Sequence, residues 1–167
     1  QDPWAEGADL SFLQVPRCGG DVLPAELERR LNTFLAQRGC PSRLIKEYGM
    51  SEDGGIMCVS YGTWEDGDVG RPLPGCRVAA ADPDTGAFCP PEVQGELIIQ
   101  SKAVMNGYYR RPEADSQVLK PGPDGEIWVW TKDLGYLTQD GRVVVTGRRK
   151  RMLSRNGFKI FPSVIEN

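Results

Sequence analysis

The sequence predicts a mixed α+β chain, with a short α/β portion over residues 1–55 and a β-rich portion over residues 56–149 that reads as antiparallel sheet. Two observations carry that expectation. Only one stretch, Leu23 to Arg38, repeats apolar residues at helical spacing, whereas after Gly55 short β-type runs alternate with turn clusters. A third observation bounds it: 167 residues, 40% hydrophobic and 26% charged, suffice to bury the core of one soluble domain or a large piece of one.

The helix comes first. In "LPAELERRLNTFLAQR" the residues Leu27, Leu31, Phe34 and Leu35 share a face, with Pro24 near the start and Gly39 just past the end. Glu26 and Glu28 lie early and Arg38 late, which suits the helix dipole. The runs "RVAAA", "GELIIQ", "EIWVW" and "RVVVTG" then read as strands, separated by "DPDTG", "KPGPDG" and "TQDG". "YLTQDGRVVV" is the clearest hairpin, turned by Asp140 and Gly141. The end of the chain is basic and then amphipathic, so a boundary is expected at residues 149/150 and a helix is expected to begin in "FPSVIEN". The chain opens at Gln1 without a methionine, and the sequence reads as part of a longer protein.

Composition closes off several kinds of chemistry. There is no histidine, so serine–histidine or cysteine–histidine nucleophiles, histidine proton shuttles and histidine metal sites are excluded. The five cysteines contain no CxxC pair, which suggests neither a zinc knuckle nor a disulfide framework and fits reduced thiols in the cytoplasm. A net charge of −3 gives no reason to expect nucleic acid or an anionic membrane as partner, and no apolar run is long enough to span a bilayer.

Four motifs remain that could carry chemistry, each with a plainer alternative. "CGGD", Cys18 to Asp21, is either a strand-to-helix turn or a place where glycine lets backbone lie against a flat or anionic ligand. "YGMSE" is either a polar loop or a set of aromatic face, tight glycine, phosphate-bonding hydroxyl and Mg²⁺-binding carboxylate. Asp133 in "WTKDLGYL" either forms a turn or accepts the two hydroxyls of a ribose. "GRRKR", Gly147 to Arg151, is a solvated face, an intramolecular anion site or a charged hinge.

Taken together and in order, "GGD", "YGMSE", "GELIIQSKAVMNGYYRRPEA", "WTKDLGYL" and "DGRVVVTGRRKRMLSRNGFKIFPSVIE" resemble the adenylate-forming superfamily. This group contains acyl-CoA synthetases, luciferases and the adenylation domains of nonribosomal peptide synthetases. The resemblance runs from about Leu13 to the last residue. It implies the end of the large adenylation domain up to residue 149, with a distorted barrel, then the hinge and the start of the small C-terminal domain over residues 150–167.

In that family a carboxylate attacks the α-phosphate of ATP, giving an acyl-adenylate and pyrophosphate, and a thiol of coenzyme A or phosphopantetheine then takes the acyl group. The resemblance places Gly19, Gly20 and Asp21 against the adenine and packs Tyr48 on it. It places Gly49 near the acyl group, Ser51 on the α-phosphate and Glu52 on Mg²⁺. Asp133 falls on the ribose-binding acid, although Lys132 replaces the usual glycine before it, where side chains tolerate left-handed backbone poorly. Arg148 falls on the arginine that contacts ribose or phosphate, and Lys150 on the hinge. Val164 departs from an acidic position, and "GELIIQSKAVMNGYYRRPEA" is expected to be mainly structural.

The family's phosphate-cradling loop is expected upstream of Gln1, and its C-terminal catalytic lysine about a hundred residues past the hinge. The sequence therefore predicts an AMP-forming acid–thiol ligase of acyl-CoA synthetase type as the parent, using ATP, Mg²⁺, a small carboxylic acid and coenzyme A, with the chain inactive by itself. The alternatives are an aminoacyl- or aryl-acid adenylation domain that loads a carrier protein, and a non-catalytic nucleotide-binding or β-barrel module that keeps the motifs by descent.

Overall fold

The computed structural model describes residues 7–21, 23–61 and 67–149, together with the backbone of Leu153–Arg155 and Phe158–Ile160. A parallel pair opens the fold: β1 (Arg17–Cys18) runs beside β2 (Ile45–Tyr48), and the crossover that parallel neighbours require is α1 (Ala25–Gln37). The helix lies within two residues of its expected ends, but its buried face is not the expected leucine stripe. Leu35 is buried and Leu31 half-buried, packing near Cys40 and Leu44, whereas Leu27 is 42% exposed.

Glu28 turns inward instead. Its Oε2 lies 2.9 Å from Lys46 Nζ on β2, and both side chains are nearly inaccessible. A charge this deep is tolerable only with a close counter-ion, so this pair pins α1 to the strand it covers. The glutamate expected to serve the helix dipole is thus also an anchor.

β2 continues antiparallel into β3 (Cys58–Val59) and β4 (Arg71–Pro72). A second, wholly antiparallel sheet runs β5 (Arg77–Ala81), β6 (Gly95–Gln100), β8 (Ile127–Leu137) and β7 (Leu119–Pro121), with β9 (Val143–Arg148) also on β8. β6 is its centre, with Leu97, Ile98 and Ile99 all fully buried. Leu97 and Ile99 face a cluster with Met57, Cys58, Val78, Ala80 and Val143, while Ile98 faces Ala81, Trp128 and Trp130. Burying each such side chain contributes roughly 1.5–3 kcal/mol, so both faces of this sheet hold core.

The two sheets join through residues 67–70. The Val69 amide donates to the Val143 carbonyl at 2.9 Å, the Val143 amide to Gly70 at 2.8 Å and the Val145 amide to Gly67 at 2.8 Å. Buried Asp68 reinforces the join, accepting the Gly70 amide and pairing with Arg142 at 2.7 Å.

Among the described residues the sheets do not close into the expected barrel. β8 divides one of its edges, pairing β7 through Ile127–Val129 and β9 through Asp133–Leu137. The sheet therefore branches toward residues 67–70 rather than curling onto β5, whose strand partner is β6. The predicted hairpin is present between β8 and β9, where the Thr138 amide donates to the Arg142 carbonyl and Gly141 takes φ 81°.

Several short elements were not anticipated. α2 (Pro112–Val118), led by proline, is too short to show a helical period, and Leu153–Arg155 pairs antiparallel with Phe158–Ile160 as strands β10 and β11. Lys150, Val164 and the segment 161–167, where a helix start was expected, lie outside the described residues, as does one side of the expected 149/150 boundary.

Candidate functional site

The site assembles at the carboxyl ends of β1 and β2, where ligands commonly bind in open α/β arrangements. β1 delivers Gly19, Gly20 and Asp21, and β2 delivers Tyr48 and Gly49. A single 3-10 turn, Ser51–Asp53, follows. Gly49 is required by space, since a Cβ there would stand 1.7 Å from the Gly55 carbonyl oxygen. The loop folds back this tightly because Asp53 fastens it: its Oδ1 accepts the Met50 amide at 3.1 Å and the Gly55 amide at 3.2 Å. Burial pushes the Asp53 carboxyl above its ordinary value, against the pull of those two amides, and its buried Oδ2 has no hydrogen-bond partner among the described residues.

That fastening presents Ser51 exposed and Glu52 half-buried on one rim. Glu52 is itself held from the far side. The Tyr108 hydroxyl donates to its Oε1, the Met105 amide donates to its carbonyl at 2.9 Å, and Asp115 of α2 accepts the Tyr108 amide at 2.7 Å. The bond to Glu52 pushes the Tyr108 phenol up to about 12. Oε2 of Glu52 takes no hydrogen bond from the described residues.

Asp133 arrives from the opposite side, out of a wide bulge in β8. Glu96 pairs with Leu134 and Ile98 with Trp130, so Thr131, Lys132 and Asp133 all stand opposite Leu97. Lys132 takes the left-handed conformation, φ 62°, at the position where the family's glycine was expected. The Thr131 hydroxyl donates to the Leu97 carbonyl at 2.8 Å and accepts the Asp133 amide at 3.0 Å. So placed, Asp133 Oδ2 accepts the Tyr48 hydroxyl at 3.0 Å and Oδ1 pairs with Arg148 Nε at 3.1 Å. Burial raises the Asp133 carboxyl above the usual carboxylate value, with Arg148 and Tyr48 pulling the other way. Burial, and then the Asp133 charge, hold the Tyr48 phenol well above its ordinary value.

One cleft of about 750 Å³ is lined by Gly19, Gly20, Asp21, Tyr48, Gly49, Ser51, Glu52, Asp133 and Arg148. All nine expected site residues within the described chain meet there. Four further contributors were not anticipated: Asp53 beneath the turn, Lys46 in the wall, Tyr108 behind Glu52 and Glu96 behind the bulge. Their sequence signals were faint. Asp53 is the third residue of an "SED" run, and Glu96 is the one acid in a strand otherwise apolar from Gly95 to Ile99.

Among the described residues no group of three or more acidic or thiol side chains is arranged to hold a metal. A single carboxylate with an open oxygen fits a hard cation that keeps its waters and takes its other oxygens from a phosphate, as Mg²⁺ does.

The profile of the AMP-binding enzyme family matches residues 1–109. The chain belongs to that family. It is 35% identical over 178 residues to a 4-coumarate–CoA ligase-like protein of Oryza sativa subsp. japonica, covering 99% of this chain and 30% of the relative. It is 28% identical over 166 residues to a long-chain-fatty-acid–CoA ligase of Bacillus subtilis, covering 98% of this chain and 28% of that one. Among solved structures it superposes on McyG A-PCP complexed with phenylalanyl-adenylate with TM-score 0.78 at 27% identity, over 92% of this chain and 28% of that one. The chain thus spans under a third of the length of these relatives.

Proposed function

We propose that the chain supplies the nucleotide grip of an AMP-forming acid–thiol ligase, which activates a carboxylic acid as acyl-AMP and passes the acyl group to coenzyme A. The observation that carries this reading is the convergence of Tyr48, Asp133 and Arg148, from β2, the β8 bulge and β9, on one cleft with the Gly19–Asp21 backbone. The cleft has room and donors for a nucleoside, and half-buried Asp133 is held in position by two partners.

In this reading the Gly19–Asp21 strip lies along the adenine and Tyr48 packs on it, while Asp133 accepts the ribose hydroxyls. Arg148 contacts ribose or phosphate, and its present bond to Asp133 keeps the guanidinium at the cleft mouth. Ser51 donates its hydroxyl to the α-phosphate, and Gly49 leaves space beside it for the attacking carboxylate. Glu52 holds Mg²⁺ through the oxygen that Tyr108 does not occupy; when bound, the cation neutralises charge that develops on the phosphates. Lys150 serves as the hinge to the small domain.

The chain by itself is proposed to be inactive, because phosphoryl chemistry rests on donors to all the developing charge. Losing one such donor typically costs on the order of 10²- to 10³-fold in rate. Fatty or aryl acids are the first-choice substrates, matching the two CoA ligases reported above. A second reading, loading of a carrier-protein thiol, is favoured by the likeness to the A-PCP structure. ATP–pyrophosphate exchange by the full-length protein with fatty, aryl and amino acids, together with acyl transfer to coenzyme A and to a carrier-protein thiol, tests both. Asp133→Ala should abolish exchange, whereas Lys150→Ala should impair one half-reaction more than the other. Unchanged exchange in Asp133→Ala would overturn the nucleotide role.

A further inference from the structure

We propose that buried Glu96 is a positioning residue that ties the Asp133 bulge to the chain leaving β9, so that the acid of the site and the segment entering the expected hinge are held by one carboxylate. This rests on the reading of Asp133 as a nucleotide-binding residue.

The carboxylate is divided between two tasks. Glu96 is 2% exposed on the central strand β6. Its Oε1 accepts the Lys132 amide at 3.0 Å, and its Oε2 pairs with Arg149 Nη1 at 3.1 Å. A bulge leaves an amide without a strand partner, and a buried amide needs one. Glu96 supplies it at the residue whose left-handed backbone sets the bulge and, one peptide later, the place of Asp133.

The second oxygen reaches the other strand of the site. Arg148 binds Asp133 and the next residue, Arg149, binds Glu96, so two successive arginines grip the two acids that flank the bulge. Arg149 precedes the expected hinge residue directly. A buried carboxylate that loses its cation is left with an uncompensated charge, so displacement of the chain after Arg148 is felt at the bulge. Packing does not call for an acid on β6, whose neighbours Leu97, Ile98 and Ile99 already fill both faces.

The test uses the 167-residue chain and four substitutions: Glu96→Gln, Glu96→Ala, Arg149→Met and Asp133→Ala. Two readouts are followed, amide hydrogen exchange over residues 127–149 and AMP affinity by NMR titration. Glu96→Gln keeps an acceptor for the Lys132 amide but not the ion pair. It should leave AMP affinity within about twofold of wild type and speed exchange at residues 145–149 by about tenfold, as Arg149→Met does. Glu96→Ala should speed exchange at both ends of the tie and weaken AMP by about tenfold or more.

Unchanged exchange at residues 145–149 in both Glu96→Gln and Arg149→Met would overturn the tie, and these two variants decide it even where Glu96→Ala fails to fold. Wild-type AMP affinity in a folded Glu96→Ala chain would overturn the positioning role. Wild-type affinity in Asp133→Ala would instead sink the nucleotide reading, with the exchange result still judging the tie.

Discussion

Lys132→Gly should make the protein more stable, although glycine in a strand ordinarily weakens it. Lys132 sits at φ 62°, a conformation that costs a residue with a Cβ roughly 1–2 kcal/mol. Glycine removes that strain but enlarges the unfolded ensemble, at a cost of roughly 0.5–1 kcal/mol. The net gain is roughly 0–1.5 kcal/mol, which for a chain of this length raises the melting midpoint by up to about 6 °C. The amide of residue 132 continues to donate to Glu96, so the bulge is kept. Lys132→Ala is the control, since it removes the side chain but not the strain and should fall near wild type. Urea unfolding of the three proteins at one pH decides the matter. A glycine variant less stable than the alanine variant would refute the claim that Lys132 is strained, and with it the explanation of the bulge.

Two other perturbations test the frame around the site. Lys46→Met leaves Glu28 buried without its cation and should cost about 3–5 kcal/mol in urea unfolding, most of it recovered in the double variant Lys46→Met with Glu28→Leu. Full stability in the single variant would show that the pair does not anchor α1. Asp133→Asn should stabilise the protein at pH 7, because burial has raised the Asp133 carboxyl. Between the ordinary value near 3.8 and the raised one, the folded state holds the proton more tightly than the unfolded state, so stability falls as pH rises through that window. The advantage of Asn should therefore be present at neutral pH and vanish below pH 3.8, and a less stable Asn variant at pH 7 would show that Tyr48 and Arg148 outweigh burial.

Much of this was legible in the chain, for identifiable reasons. α1 was readable because its period, leading proline and trailing glycine agree, and the β8–β9 hairpin because Asp140–Gly141 is a strong turn. The nine residues that line the cleft were singled out by motif order, since each motif constrains the next. What was not readable depends on distant pairing. Nothing local distinguishes Glu28, which is buried by Lys46, from Glu26, which pairs with Arg29 in solvent. Nor does "WTKD" reveal that β8 bulges there, because the bulge exists only against β6. The barrel expectation failed for the same reason: alternating runs specify strands, while the branching at β8 is set by which partner each half finds.

Gly19–Asp21, Tyr48, Ser51, Asp133 and Arg148 are proposed to form one nucleotide grip. Titration of the 167-residue chain with AMP, followed residue by residue by NMR, tests it most directly. Weak but saturable binding is expected, no tighter than micromolar, with shifts concentrated at those residues and lost in Asp133→Ala. Shifts confined to other surfaces, or binding that Asp133→Ala leaves intact, would contradict it.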